Sequence, residues 1–343
     1  MSDMMRIMNF GDINIDDPFF DSLKESYSEF ENWFHRKSQE KAHIMVDDHG
    51  SIIAFLYVKR EEEELNDIEP PLPALPRLKV GTFKINPHGT RLGERFIKKI
   101  FDYAIYLGAA EIYVTIFPQH QALIHLFSKY RFAYVANKTT ANGTEMVLVR
   151  NMLQIQGNII GDYPFVQSRQ ANKYLLGIYP EYHTQLLPDS ILNNESIESI
   201  RDVSHTNSIH KVYLCAMQGV DALQSGDILI IYRTSDQPGK ARFRSVVTSL
   251  CVVEEVRTRS DFQGFAEYMQ YCSDYSVYSE AELKKWFSNK NLTVIRFTYN
   301  AAFQKRITRG TLLDQVGLSA DSYWGFMPLS DEQFHQIIQM GGI

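Results

Sequence analysis

KVGTFKINPHGTRLGERFIKKIFDYA, residues 79–104, and EIYVTIFPQHQALIHLFSKYRFAYV, residues 111–135, decide how the first half of this chain is read. Residues 78–85 read as a strand. Asn86, Pro87, His88, Gly89 and Thr90 break it, because proline removes a donor and glycine admits a positive φ. A helix follows over residues 91–107, with Leu92, Phe96, Ile97, Ile100, Phe101, Ala104 and Ile105 on one stripe. Gly108 ends it as a C′ glycine. Residues 111–117, rich in β-branched and aromatic side chains, form the next strand. A second helix spans 119–130, and residues 132–135 and 146–149 close the unit around an Asn142-Gly143 turn.

The loop between the first strand and the first helix carries the chemistry. A pyrophosphate needs N–H donors and positive potential, and a tight loop opening a helix offers both. His88, Gly89, Thr90, Arg91, Leu92, Gly93 and Glu94 occupy that place, with Gly89 and Gly93 allowing close backbone approach. Two glycines before a helix also fit an ordinary strand-to-helix turn. The order of the surrounding elements is what sharpens the reading.

Over about residues 1–150 that order resembles the GNAT superfamily of N-acetyltransferases. The family loop reads Q/R-x-x-G-x-G/A; the matching positions here are His88-x-x-Arg91-x-Gly93. The resemblance implies acetyl-CoA as cofactor, held by Phe83, Ile85, His88, Gly89, Thr90, Arg91, Leu92, Gly93, Glu94 and His120. Backbone N–H groups near Phe83 and Ile85 are implied to polarise the thioester carbonyl. The family's next helix reads N-x-x-A/I-x-x-L/F-Y-x-x-x-G-F. His120 stands at its CoA-contacting Asn, Phe127 at its Tyr, and Arg131 at its Gly. Because Phe127 has no proton to give, Tyr130 becomes the candidate acid. Glu111 and the acidic run at residues 61–64 are candidate bases.

Outward from this unit, residues 19–34 read as one amphipathic helix, with Leu23, Tyr27, Phe30 and Phe34 spaced by three or four. Residues 42–46 and 52–59 form a hairpin around Asp47-Asp48-His49-Gly50. The acidic run and Pro70, Pro71, Pro73 and Pro76 mark a solvated loop.

A length of 343 residues suggests two domains, placed at 1–150 and 151–343. Residues 1–150 hold 18 Lys+Arg and 21 Asp+Glu, and the remainder 17 and 20, so each half carries −3. That excludes a basic, phosphate-gripping domain but not a small basic pocket. Three cysteines without a C-x-x-C pair fit a reduced compartment and no metal site. No apolar run reaches membrane-spanning length, and the N-terminus is not a signal peptide, so a cytoplasmic location is expected.

In the second half, strands are expected at residues 174–179, 211–217, 227–234, 243–256 and 292–299. Residues 181–192 read as a mixed helical stretch. Ser279 with Glu282, and Ser330 with Gln333, cap two helices, and residues 308–316 form another. The segment YLLGIYPEYHTQLLPDSI and the later strand GDILIIYR resemble PUA-like domains of the ASCH group, over about residues 170–340. The family's G-x-K-x-x-E signature is not evident; Glu198 and Arg201 are its charged echoes. The expected fold is thus α+β in two domains: a GNAT-type mixed sheet, then a PUA-like β-barrel with short helices.

PUA-like domains bind RNA or a modified base, which implies Lys173, Tyr182, Arg201, Lys211, Tyr232, Arg233, Lys240, Arg242 and Arg244 as nucleic-acid contacts. Lys240, Arg242 and Arg244 alternate at period two, so on a strand they would share one face. A solvated basic edge with its tyrosines in the core is the plainer alternative. Three functions follow. The first is an N-acyltransferase acting on an RNA or nucleotide-containing acceptor. The second is a protein or small-amine acetyltransferase whose second domain docks a partner. The third is a non-catalytic CoA-binding sensor joined to a nucleic-acid reader. GNAT domains often pair, which implies a homodimer or protein partner.

Overall fold

A computed structural model describes residues 5–193, 195 and 200–343. The chain divides into two compact units, Met1–Asp162 and Tyr163–Ile343.

Unit 1 runs β1 (Met5–Asn9), α1 (Asp21–Ser26), α2 (Phe30–Arg36), β2 (Lys41–Val46), β3 (Ile52–Glu61), β4 (Arg77–Ile85), α3 (Leu92–Tyr106), β5 (Glu111–Ile116), α4 (Gln121–Lys129), β6 (Ala133–Thr140) and β7 (Gly143–Asn151). They build one sheet in the order β1-β2-β3-β4-β5-β7-β6. The β4–β5 pair is parallel and its other neighbours antiparallel. Residues 19–34 are two short helices rather than one. Tyr27 breaks them in extended conformation, and its hydroxyl reaches across to Glu145. The period survives the break because Leu23 of α1 and Phe30 and Phe34 of α2 pack on one cluster with Phe10, Phe20 and Phe55. The proline-rich loop is not wholly solvated. Leu65 and Ile68 pack on Tyr113, Val147 and Val149, and Glu69 bridges to Asn137 of β6.

The parallel pair is short. Arg77, Leu78, Lys79 and Val80 pair with Glu111, Ile112, Tyr113 and Val114, and there the ladder stops. β4 then follows β3 as far as Ile85 against Ala54, while β5 follows β7 as far as Ile116 against Met146. Gly81 sits at the divergence. The β3–β4 register shifts there, with Tyr57 opposite Thr82 and Val58 opposite Val80, so Gly81 is an extra, bulged residue. A Cβ at Gly81 would lie 2.7 Å from Tyr57 Cδ1.

Unit 2 runs β8 (Lys173–Ile178), α5 (Pro180–Leu186), α6 (Ser204–Asn207), β9 (His210–Cys215), β10 (Ile228–Arg233), α7 (Ala241–Arg244), β11 (Val246–Thr258), α8 (Phe265–Cys272), α9 (Glu280–Phe287), β12 (Thr293–Thr308), α10 (Arg309–Asp314), β13 (Phe326–Leu329) and α11 (Asp331–Gly341). Its sheet has the order β13-β8-β10-β11-β12-β9. The expected barrel is therefore not closed among the described residues. β13 is four residues long and contains Pro328, which has no N–H to offer a further strand. At the opposite edge Val212 donates to the Tyr275 carbonyl. Apolar clusters cover both faces. The capping boxes at Ser279 and Ser330 form as the sequence indicates. Residues 240–244 do not: Lys240 caps the helical turn α7, so Lys240, Arg242 and Arg244 share no strand face.

All three cysteines are buried. Among the described residues no helix is long and apolar enough to cross a membrane.

Gly81→Ala places a methyl against the Tyr57 ring and should lower stability by about 1–3 kcal/mol, read as a lower urea midpoint. A second expectation concerns pH. His183 is fully buried, and its Nε2 lies 2.8 Å from Thr248 Oγ1. Burial, with Arg233 and Arg306 nearby, pushes its pKa down to about 3. The unfolded chain, with a histidine pKa of about 6.5, binds the proton more readily. This stabilisation is complete above about pH 6.5 and is lost as pH falls toward 3. The denaturant midpoint should decline between pH 7 and 4, with a shallower slope in His183→Gln.

Candidate functional site

Where β4 and β5 part, a cleft of about 1190 Å³ opens in unit 1. Beyond Val80, the side of β4 turned toward β5 has no ladder partner among the described residues. Such backbone can hydrogen-bond an entering ligand. One wall is the loop that begins α3. Gly89 takes φ 84° and Arg91, the N-cap, φ 57°. The space beside Gly89 is open, since a Cβ there would meet nothing within 4 Å. His88 braces the loop from within. Its Nδ1 donates to the Asn86 carbonyl at 2.7 Å, so Nε2, 3.0 Å from Thr90 Oγ1, is left in the neutral ring to accept the hydroxyl. A helix start of this kind leaves N–H groups without carbonyl partners inside the helix, at its positive end.

Phe83, Ile85, His88, Gly89, Thr90, Arg91, Leu92, Gly93 and His120 all line this cleft. Gly93 has a second duty: a Cβ there would fall 2.7 Å from Leu126 Cδ2 of α4. Glu94 does not line the cleft. It is buried, with an oxygen 3.5 Å from Arg91 Nη1.

The two proposed catalytic side chains are elsewhere. Tyr130 is 1% exposed and packs on Phe101 in the core. Glu111 is 2.8 Å from the buried Arg77 Nε and is held there as an ion pair. Neither faces the cleft, because each is claimed by packing or charge on its own layer. Phe127 is 0% exposed, wedged against Phe83 and Phe132. Arg131 takes φ 60°, the left-handed conformation that a glycine adopts more cheaply. An ion pair to Asp162 holds it there, and Asp162 also accepts N–H groups from Gln156, Gly157 and Asn158.

The carboxylates that do line the cleft are Glu29, Glu61 and Glu145. Glu61 belongs to the acidic run; Glu62, Glu63 and Glu64 do not reach the wall. Glu61 accepts the Tyr113 hydroxyl and lies 3.2 Å from Lys59 and 3.7 Å from Lys79. Burial acts to raise its carboxyl, but these partners outweigh it and hold it below the usual carboxylate range. Desolvation pulls Lys79 below its ordinary value. Glu145 and Tyr27 escaped notice in the sequence, where 118 residues separate them.

Unit 2 holds a second pocket, of about 550 Å³, walled largely by aromatic rings: Tyr179, Tyr182, Tyr213, Tyr232, Tyr278, Trp286, Tyr323 and Trp324. Tyr182 and Tyr278 meet at 4.8 Å, and the Arg309 guanidinium lies 4.3 Å over Trp324. Only Tyr182 and Tyr232 of the expected nucleic-acid residues line it. Lys173 is buried and pairs with Asp331 at 2.6 Å, while buried Lys211 donates to the His205 and Thr206 carbonyls. Arg233 is buried and pairs with Glu195 at 2.8 Å, a carboxylate the sequence reading passed over. Arg242 pairs with Asp314 and Arg244 with Asp236, both at the surface. Arg201 is exposed and Lys240 caps α7, outside the pocket wall. Glu198 lies outside the described residues.

Neither protein-family models nor curated proteins match the chain. Solved structures of two kinds do, each over about half of it. ASCH from Zymomonas mobilis is 10% identical, covering 49% of this chain and 94% of its own, with a TM-score of 0.33. Ard1 from Thermoplasma volcanium is 15% identical over 45% of this chain and 100% of its own, with a TM-score of 0.34. The NatC complex bound to Gag peptide and CoA gives 14%, 44%, 99% and 0.31 in the same order.

Phe127→Tyr would install the phenol of the GNAT pattern in a sealed apolar setting. It should lower stability by about 1–3 kcal/mol, seen as a reduced denaturant midpoint; an unchanged midpoint would mean that the side chain reaches the cleft.

Proposed function

We propose that this chain is an acetyl-CoA-dependent N-acyltransferase, and that unit 2 recruits an RNA or nucleotide-containing acceptor through its aromatic pocket. The observation that carries the first part is the parting of β4 from β5 beside the start of α3. That geometry supplies unladdered strand backbone for an acyl carbonyl and helix-start amides for a pyrophosphate, along one cleft. The residues fit the cofactor: Gly89 leaves open space in the loop, and Arg91 stands at the N-cap. Acetyl-CoA would supply an activated acyl carbon and a thiolate leaving group. Phe83, Ile85, His88, Gly89, Thr90, Arg91, Leu92 and Gly93 would hold it, with His120 at the start of α4.

For the second part, ring faces at the pocket wall favour stacking of a base, which is sequence-tolerant and worth about 1–3 kcal/mol per base. A second reading has its own support. Lys173, Lys211, Arg233, Arg242 and Arg244 are all engaged within unit 2, which removes the basic strip an RNA backbone would need. On that reading the acceptor is a protein or small amine, and unit 2 docks a partner. The buried Phe127 and Tyr130 favour the third, a CoA-binding sensor without turnover.

Titration calorimetry with CoA should show binding, weakened at least tenfold by Gly89→Asp, which tolerates a positive φ and sets a carboxylate where a phosphate would lie. Radiolabelled acetyl-CoA with a tRNA pool should then label RNA. Label confined to protein or amines selects the second reading, and binding without transfer the third. Absence of CoA binding contradicts all three.

A further inference from the structure

We infer that Glu145, held by the Tyr27 hydroxyl, is the base that takes a proton from the acceptor ammonium in the unit 1 cleft. The inference rests on the acyl-transfer reading above.

Glu145 stands near the start of β7 next to Met146, the residue opposite Ile116 at the end of β5. It is 4% exposed, yet it lines the cleft. Among the described residues it makes no ion pair. Its cross-strand neighbour Lys138, also on the cleft wall, pairs with Asp67 at 2.6 Å. Its hydrogen bond comes from Tyr27, whose hydroxyl donates to Oε1 at 2.6 Å. A buried carboxylate with no ion pair of its own gains from an incoming ammonium. The other two cleft carboxylates lack that condition. Glu61 is neutralised by two lysines, and the Asn142 amide, first among its partners, holds the exposed Glu29 below the usual carboxylate range.

The pair is also fixed in place. The Tyr27 ring lies 5.3 Å from Phe117, just past the end of β5 where the strands have parted. The flanking linker between α1 and α2 is tied to the β6–β7 turn, since Asn142 Nδ2 donates to both Glu29 oxygens at 2.9 and 3.0 Å. The carboxylate shares the cleft wall with Tyr27, Trp33 and Lys59.

The proton count closes. One ammonium N–H bond breaks and an O–H bond forms on Glu145, which frees the nitrogen lone pair for the acyl carbon. The second N–H proton leaves with the departing sulfur as a thiol. Glu145 then returns its proton to water. Tyr27 does not titrate in this scheme. Burial and the Glu145 carboxylate raise its pKa, so it remains a donor and stabilises the charged carboxylate.

Thiol release from acetyl-CoA with ethylamine as probe should fall at least a hundredfold in Glu145→Gln. Tyr27→Phe should slow it about tenfold, with CoA affinity by calorimetry unchanged in both variants. A Glu145→Gln variant with the wild-type rate overturns the assignment. Loss of CoA binding in the wild-type chain overturns the acyl-transfer reading instead, so the two failures are told apart.

Discussion

The parallel pairing of β4 with β5 stops after four residues, and unit 1 is arranged around that stop. A parallel ladder that continued would bury its backbone groups and leave no room for a ligand. The bulge at Gly81 re-aims β4 toward β3, and β7 draws β5 the other way. Tyr57 fills the space that a side chain at Gly81 would take. The cleft, the exposed strand edge and the position of the α3 start are consequences of one extra residue in one strand.

The two faces of that sheet divide the work. Phe83, Phe96, Phe127 and Phe132 form an aromatic layer under α3 and α4, with Phe83 reaching the cleft wall. Phe127 is fully buried within that layer. On the other face, the α1–α2 linker and the β6–β7 turn bring Tyr27, Glu29 and Glu145 to the cleft. There the carboxylates and the Tyr27 phenol sit beside Phe30 and Phe117. In unit 2 Lys173, Arg233, Arg242 and Arg244 are taken up by internal pairs, and the pocket wall is largely aromatic, with Glu181 and Arg309 its charged residues.

What the sequence made legible follows the range of the forces involved. The strand, loop and helix over residues 78–107 were readable because period, breaker and cap all lie within one local window. Phe83, Ile85 and residues 88–93 come to line one cleft because they lie in that same window. Glu94 was misplaced because its spacing says nothing of which side of α3 is buried. Tyr130 and Glu111 were misplaced because burial and the Arg77 partner are tertiary facts. Lys240, Arg242 and Arg244 show the limit of period two: three alternating charges fit a strand equally well until Lys240 caps a turn. Glu145 and Tyr27, like the eight rings of the unit 2 pocket, come together only when distant segments meet. Pro328 carried a readable hint that the unit 2 sheet ends rather than closes.

Amide hydrogen exchange of the full chain, with and without CoA, tests the central claim most directly, since amides gain protection where they are bound. The account predicts added protection over residues 82–95, spanning the unladdered end of β4, the loop and the first turn of α3. Protection absent from those residues, or confined to unit 2, would contradict it.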